Sequence, residues 1–138
     1  MANSVTGTLV DSNILFDILS DDEEWMDWSA AMIADAGNRG PVVINPIIFA
    51  EVSVRYDRIE DVEEALPRDY FVRAPLPWDA GFLAAKCFVK YRQGGGTRRS
   101  PLPDFYIGAH AAVSGLALLT RDPRRYQRYF PALTLIAP

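Results

Sequence analysis

The run Thr8-Leu9-Val10-Asp11-Ser12-Asn13-Ile14-Leu15 reads as a short strand, a capping turn and the start of a helix. Leu9 and Val10 suit a buried strand. Asp11, Ser12 and Asn13 are types whose side chains accept hydrogen bonds from the free N–H groups of a first helical turn. A helix is expected from about Ile14 to Leu19. The same succession recurs. Pro41-Val42-Val43-Ile44 reads as a buried strand, Asn45 can cap the next helix, and Pro46 is tolerated in its first turn. Leu116 to Thr120 and Leu133 to Ile136 read as strands, with a short helix over Pro123 to Tyr129 between them. The acids Asp21 to Glu24 suit the start of a second helix ending near Gly37 or Gly40. Arg58 to Ala65 and Trp78 to Tyr91 read as helical, and Tyr70 to Arg73 as a short strand or a loop. Gln93-Gly94-Gly95-Gly96-Thr97 breaks the pattern, and Pro101 and Pro103 lead into a helix from about Asp104 to Ser114. Strands alternating with helices imply an α/β domain with a mostly parallel sheet. In such sheets, functional groups gather beyond the carboxyl ends of the strands.

A length of 138 residues suits one domain, here taken as 1–138, large enough to bury a core without disulfides. With 49% apolar and 23% charged residues the composition is globular, which excludes a disordered chain. Cys87 has no partner for an internal disulfide and sits in the apolar stretch Phe82 to Phe88, where a packed, inert thiol is expected. The opening MANSVTGTLVDSN has neither a basic start nor an apolar run, so no cleavable leader is expected. No uncharged apolar stretch is long enough to span a membrane. These features together fit a reducing cytoplasm.

A net charge of −4 argues at first against a nucleic-acid partner, but the charge is unevenly spread. Residues 1–85 carry 16 acids and 5 bases, whereas residues 86–138 carry 9 bases and only 2 acids, Asp104 and Asp122. A polyanion can therefore dock on part of an acidic protein. Basic helix surfaces account for the same count equally well.

Four carboxylates stand where chemistry is expected. Asp11 ends the first strand and Asp122 follows the Leu116–Thr120 strand. Each reads as a helix cap or as a group pointing into a shared cleft. Glu51 projects from a largely apolar helical stripe with Ile47, Ile48 and Val54. A carboxylate buried there needs a metal, a proton or a cation, and Arg55 one turn on is the competing partner. Asp104 lies in a first helical turn, where complementing the helix dipole is the plain alternative to ligation. Taken together, four carboxylates converge on one sheet edge from separate segments, with no cysteine or histidine cluster. Oxygen-only ligation selects Mg²⁺ or Mn²⁺ over zinc. One such ion, or two about 3.5–4 Å apart, could activate water and stabilise the leaving oxygen in phosphodiester hydrolysis.

Four motifs carry a family resemblance. Leu9-Val10-Asp11-Ser12-Asn13-Ile14-Leu15 resembles the opening strand and turn of PIN domains, and Asn45-Pro46-Ile47-Ile48-Phe49-Ala50-Glu51-Val52 their second acidic motif. Leu102-Pro103-Asp104-Phe105-Tyr106-Ile107-Gly108-Ala109-His110-Ala111 resembles the third, and Leu118-Leu119-Thr120-Arg121-Asp122, followed by Tyr126 and Phe130, the fourth. The order and spacing span Thr8 to Ile136 and resemble in particular the VapC-type toxins of type II toxin–antitoxin pairs. The resemblance implies a three-layer α/β/α domain and an endoribonuclease leaving a 5′-phosphate and a 3′-hydroxyl. It implies Mg²⁺ or Mn²⁺ held by Asp11, Glu51, Asp104 and Asp122, with Ser12, Asn13 and Thr120 supporting the ligands. It also implies a VapB-like antitoxin and a homodimer within the complex.

Arg98 and Arg99, on the glycine-rich approach to Asp104, are expected to contact RNA phosphates, as are Arg121, Arg124 and Arg125. Capping and solvating helices is the alternative for each. His110 follows Asp104 by six residues, roughly 120° around a helix, and is expected to face elsewhere. Trp25, Trp28 and Met32 form a stripe that serves either the core or the antitoxin. A haloacid-dehalogenase-type phosphatase wants an acid where Asn13 stands. A phosphoacceptor receiver wants adjacent acids after strand one and a lysine after a late strand, which Thr120-Arg121-Asp122 does not supply. A PIN-like scaffold without turnover, working through a partner that regulates transcription, is the competing function.

Overall fold

The computed structural model describes residues 7–138. The leader reading rests partly on residues 1–6, which lie outside the described residues. The chain runs β1 (Thr8–Val10), α1 (Ser12–Leu19), α2 (Met26–Arg39), β2 (Val42–Ile44), α3 (Pro46–Ser53), α4 (Ile59–Ala65) and β3 (Phe71–Arg73). It continues through α5 (Trp78–Gln93), α6 (Pro103–Ser114), β4 (Ala117–Leu119), α7 (Arg124–Tyr129) and β5 (Leu135–Ile136). The strands form one sheet in the order β3-β2-β1-β4-β5, and every pairing is parallel.

The winding places the site. From β1 the chain steps outward to β2 and β3, then returns past β1 to lay down β4 and β5 on its other side. With the right-handed crossovers that parallel sheets adopt, the two legs carry helices to opposite faces, giving three layers. The direction reverses between β1 and β4, where crossovers diverge and leave a crevice beyond the carboxyl ends. Asp11 N–H donates to Leu119 C=O at 2.9 Å and ties the two strand ends together.

Local chemistry explains most boundaries. Asn45 Oδ1 accepts from Ile48 N–H at 2.9 Å with Pro46 opening α3, as its sequence suggests. The helix expected from the acids at 21–24 begins instead at Met26. Asp22 Oδ1 accepts from the N–H groups of Glu24 and Trp25, forming a side-chain-stabilised turn that delays the helix. The strand-or-loop alternative at Tyr70 to Arg73 resolves as β3, because its backbone pairs with the whole of β2. Helix α5 runs on to Gln93, and β5 is shorter than Leu133 to Ile136.

Leu9, Val10, Ile14, Ile44, Ile48, Phe105, Ile107, Leu118 and Leu119 fill the core on both sides of the sheet. Each such side chain contributes about 1.5–3 kcal/mol of burial. Gly108 permits one close approach: a Cβ there would run into the Phe130 ring, so α6 can seat against the end of α7. Cys87 is buried, and burial pushes its thiol up, as an inert packed cysteine requires. No helix among the described residues is long and apolar enough to cross a membrane.

Candidate active site

Asp11 leaves β1 at the crevice and is only 5% exposed. It caps α1, its Oδ1 accepting from Ser12 N–H at 2.8 Å. Its Oδ2 meets Thr120 Oγ1 at 2.9 Å and the Tyr126 hydroxyl at 3.0 Å. The cap reading and the cleft reading thus describe two oxygens of one side chain. Burial first, and then the charge of Asp104, push its carboxyl up to about 6, against the opposing pull of these hydrogen bonds.

Glu51 reaches the same place from α3. Its Oε1 accepts from Ser12 Oγ at 3.0 Å. Burial raises its carboxyl, and the Asp11 and Asp104 charges raise it further against the Ser12 bond. The Arg55 alternative is not realised, since that guanidinium lies 4.0 Å from the centre of the Phe16 ring. Asp104 arrives on the first turn of α6, its Oδ1 3.3 Å from the Tyr126 hydroxyl and its Oδ2 3.1 Å from Arg125 Nη1. Asp122 stands apart. Its side chain is 69% exposed and 3.7 Å from Arg124 Nε, and it lines an open cleft together with Asp104. Three of the four expected carboxylates therefore sense one another, while the fourth sits at the rim. Among the described residues no three ligand-type side chains close into a finished cage.

The supporting residues form a lattice. Asn13 Nδ2 donates to Thr120 Oγ1 at 3.2 Å, and Asn13 Oδ1 accepts from Arg121 N–H at 3.2 Å. Thr120 Oγ1 also accepts from Asp122 N–H at 3.1 Å. Tyr126 is the site residue that sequence reasoning passed over. It appears in the fourth motif, but its hydroxyl, shared between Asp11 and Asp104, emerges only when α7 folds under the sheet edge. Burial beside three carboxylates drives its pKa far upward, so it stays a neutral donor.

The arginines divide. Arg98 and Arg99 are exposed on the loop before α6. Arg121 is engaged inward: its Nε donates to Asp17 Oδ2 at 2.6 Å, which also accepts from Ser29 Oγ at 2.6 Å, and its guanidinium lies 5.1 Å from the Trp25 ring centre. His110 faces away from Asp104, buried with Nδ1 2.9 Å from Asn45 Nδ2, and burial lowers its pKa. Trp25 and Trp28 pack edge to face at 5.9 Å, and Trp28 and Met32 rest half-buried against the core.

A family model described as PIN domain matches residues 8–131. No curated protein matches the chain. Among solved structures, VapBC2 from Rickettsia felis bound to a promoter DNA fragment is 17% identical, with a TM-score of 0.71 over 95% of this chain and 98% of that one. VapBC-1 from nontypeable Haemophilus influenzae is 16% identical, with a TM-score of 0.71 over 94% of this chain and 96% of that one. A toxin–antitoxin complex from Klebsiella pneumoniae is 23% identical, with a TM-score of 0.64 over 94% of this chain and 96% of that one. At these identities the likeness is one of fold.

Proposed function

The chain belongs to the PIN domain family, and on that premise we propose that it is a Mg²⁺- or Mn²⁺-dependent endoribonuclease, the toxin of a toxin–antitoxin pair. One observation carries the reading. Asp11, Glu51 and Asp104 come from three separate elements to the β1–β4 crevice, around an aspartate that burial and a neighbouring carboxylate have pushed up to about 6. Such a cluster lacks positive charge at its centre, and an all-oxygen donor set suits a hard divalent cation. Asp11, Glu51 and Asp104 would hold the ion, with Asp122 the fourth candidate at the rim. When bound, it supplies Lewis-acid activation of water and of the phosphodiester.

The remaining residues prepare that event. Thr120 and Tyr126 fix Asp11, and Ser12 fixes Glu51, so the ligands need little reorganisation. Arg98, Arg99, Arg124 and Arg125 supply positive charge for RNA phosphates from around the crevice, whereas Arg121 is held in structure by Asp17.

Structural neighbours described as VapBC or toxin–antitoxin complexes support a VapB-like partner. The half-buried Trp25, Trp28 and Met32 stripe is the surface we assign to it. If Trp25→Ser or Trp28→Ser leaves a folded, active protein that the partner no longer inhibits, the assignment stands; global unfolding moves the stripe to the core. For the homodimer, α5 offers a second surface. Trp78 is 95% exposed and shares a stripe with Phe82, Ala85 and Val89.

The deciding experiment is Mg²⁺- and Mn²⁺-dependent cleavage of a mixed RNA pool without partner, with Asp104→Asn alongside. Cleavage by the wild type alone establishes the nuclease. The scaffold reading draws on the open cluster and the rim position of Asp122. Absence of both cleavage and metal binding would select it.

A further inference from the structure

His110 is the chain's single histidine, and it is buried in α6 outside the carboxylate cluster. Its Nδ1 lies 2.9 Å from Nδ2 of Asn45, the equally buried residue that caps α3. Helix α6 carries Asp104, and α3 carries Glu51. Among the described residues this is the only side-chain hydrogen bond that joins α6 to α3 and its cap.

The direction of the bond follows from the cap. A backbone N–H only donates, so the Asn45 atom 2.9 Å from Ile48 N–H is the amide oxygen. The atom facing His110 is therefore the NH₂ group, and Nδ1 must present a lone pair to it. Burial lowers the pKa of the ring, which keeps it neutral with its proton on Nε2. An imidazolium would set two donors face to face.

Helix α3 needs such a fixture. It spans eight residues, too few for a helix to be stable alone. Ile48 and Val52 bury it against the core, but apolar packing is far less directional than a hydrogen bond, whose length and angle are narrow. Beyond its other end Val54 is exposed, so the polar anchor lies at the cap. Ser12 holds the Glu51 carboxylate itself, while the Asn45–His110 bond holds the helix that carries it.

We propose that His110 is a positioning residue: by accepting from Asn45 it locks the start of α3 to α6, and so sets the spacing of Glu51 and Asp104 that a divalent cation must bridge. The inference rests on the metal reading above and adds to it a pair that touches neither cation nor substrate. Groups that orient metal ligands from behind matter to metal affinity nearly as much as the ligands do.

The test has a metal-free arm and a metal arm. Nitrogen-15 NMR of the single histidine ring should show a proton on Nε2 and none on Nδ1, with the Nδ1 signal shifted in Asn45→Ser. Mn²⁺ calorimetry then compares the wild type with three variants. His110→Leu fills the space but accepts nothing, Asn45→Ser keeps a capping oxygen without the NH₂ group, and His110→Asn offers an oxygen in place of Nδ1. Ile33→Ala, in the core face of α2, is the destabilised control, and thermal melting checks every fold. His110→Leu and Asn45→Ser should each bind Mn²⁺ about tenfold more weakly. Their combination should bind no more weakly than either, because both remove one bond. His110→Asn should recover most of the affinity, and Ile33→Ala should keep the wild-type value while melting earlier. A proton on Nδ1, unchanged affinity in both His110→Leu and Asn45→Ser, additive losses, no recovery in His110→Asn, or an equal loss in Ile33→Ala each overturn the positioning role and leave the metal reading in place. Absence of Mn²⁺ binding by the wild type removes the metal reading, and the positioning role with it.

Discussion

The Tyr126 hydroxyl stands 3.0 Å from Asp11 Oδ2 and 3.3 Å from Asp104 Oδ1, one donor serving two carboxylates from different helical segments. Tyr126 is buried and strongly biased toward its neutral form, so it always has a proton to offer. It partly offsets the repulsion between Asp11 and Asp104. Removing it should expose how much of the site's charge balance rests on one hydroxyl.

Tyr126→Phe is therefore expected to raise the Asp11 carboxyl further and to weaken cation binding by about tenfold, near the 1–3 kcal/mol of a lost buried hydrogen bond to a charge. Protons compete with the cation for Asp11. In the wild type Mn²⁺ affinity should fall as pH drops through about 6, and in Tyr126→Phe the fall should begin at higher pH. Mn²⁺ titrations across this range check both the loss and its pH dependence.

Asp11 also predicts a stability profile. Its folded pKa lies above its unfolded value, so between 3.8 and about 6 the folded state binds more protons than the unfolded state. Stability from this group is fully present below about pH 4 and declines as pH rises toward 6. The rise corresponds to about 3 kcal/mol withheld from the metal-free protein at neutral pH. Asp11→Asn should raise the metal-free Tm at pH 7.5 and leave it nearly unchanged at pH 4. A lower Tm at pH 7.5 contradicts the argument.

Arg125 and a metal ion compete for Asp104. The pair is partly exposed and worth about 0–1 kcal/mol. Arg125→Ala should accordingly tighten Mn²⁺ binding by up to about fivefold while weakening RNA binding. Calorimetry with Mn²⁺ alone isolates the first effect; looser metal binding would show that Arg125 supports the site instead of competing for it.

Asp17 is 2% exposed and Arg121 29%, and their ion pair joins α1 to the β4–α7 loop that carries Asp122. Asp17→Ala should cost about 3 kcal/mol in urea unfolding, because it leaves Arg121 and the Ser29 hydroxyl without their shared acceptor. A cost below about 1 kcal/mol would make the pair a surface contact in effect.

For the dimer, Trp78→Ser is expected to shift sedimentation of the free protein toward the monomer without changing its fold. Retained dimer would move the interface away from α5.

Much of this was legible along the chain. Strand β1 and the Asn45 cap are local events, set by β-suited runs followed by capping side chains, and local chemistry acts the same way in any fold. The positions of Asp11, Asp104 and Asp122 at or beside element ends were readable for the same reason, and Glu51 was readable as a carboxylate on an apolar helical stripe. The delayed start of α2 was readable in principle, since Asp22 precedes its two acceptor-seeking N–H groups, but capping and helix-starting acids look alike without coordinates.

What the sequence alone determined was the alternation of strands and helices, the four carboxylates and the charge asymmetry. All of these follow from which residue stands next to which. Tertiary structure alone decided that Asp11, Glu51 and Asp104 come within electrostatic reach of one another while Asp122 turns to Arg124, that Tyr126 bridges Asp11 and Asp104, and that Arg121 is bound to Asp17. Those relationships join residues up to 115 positions apart. The Tyr126 and Arg121 contacts depend on the reversal of winding between β1 and β4, which sets distant side chains within hydrogen-bonding reach and which no local propensity encodes.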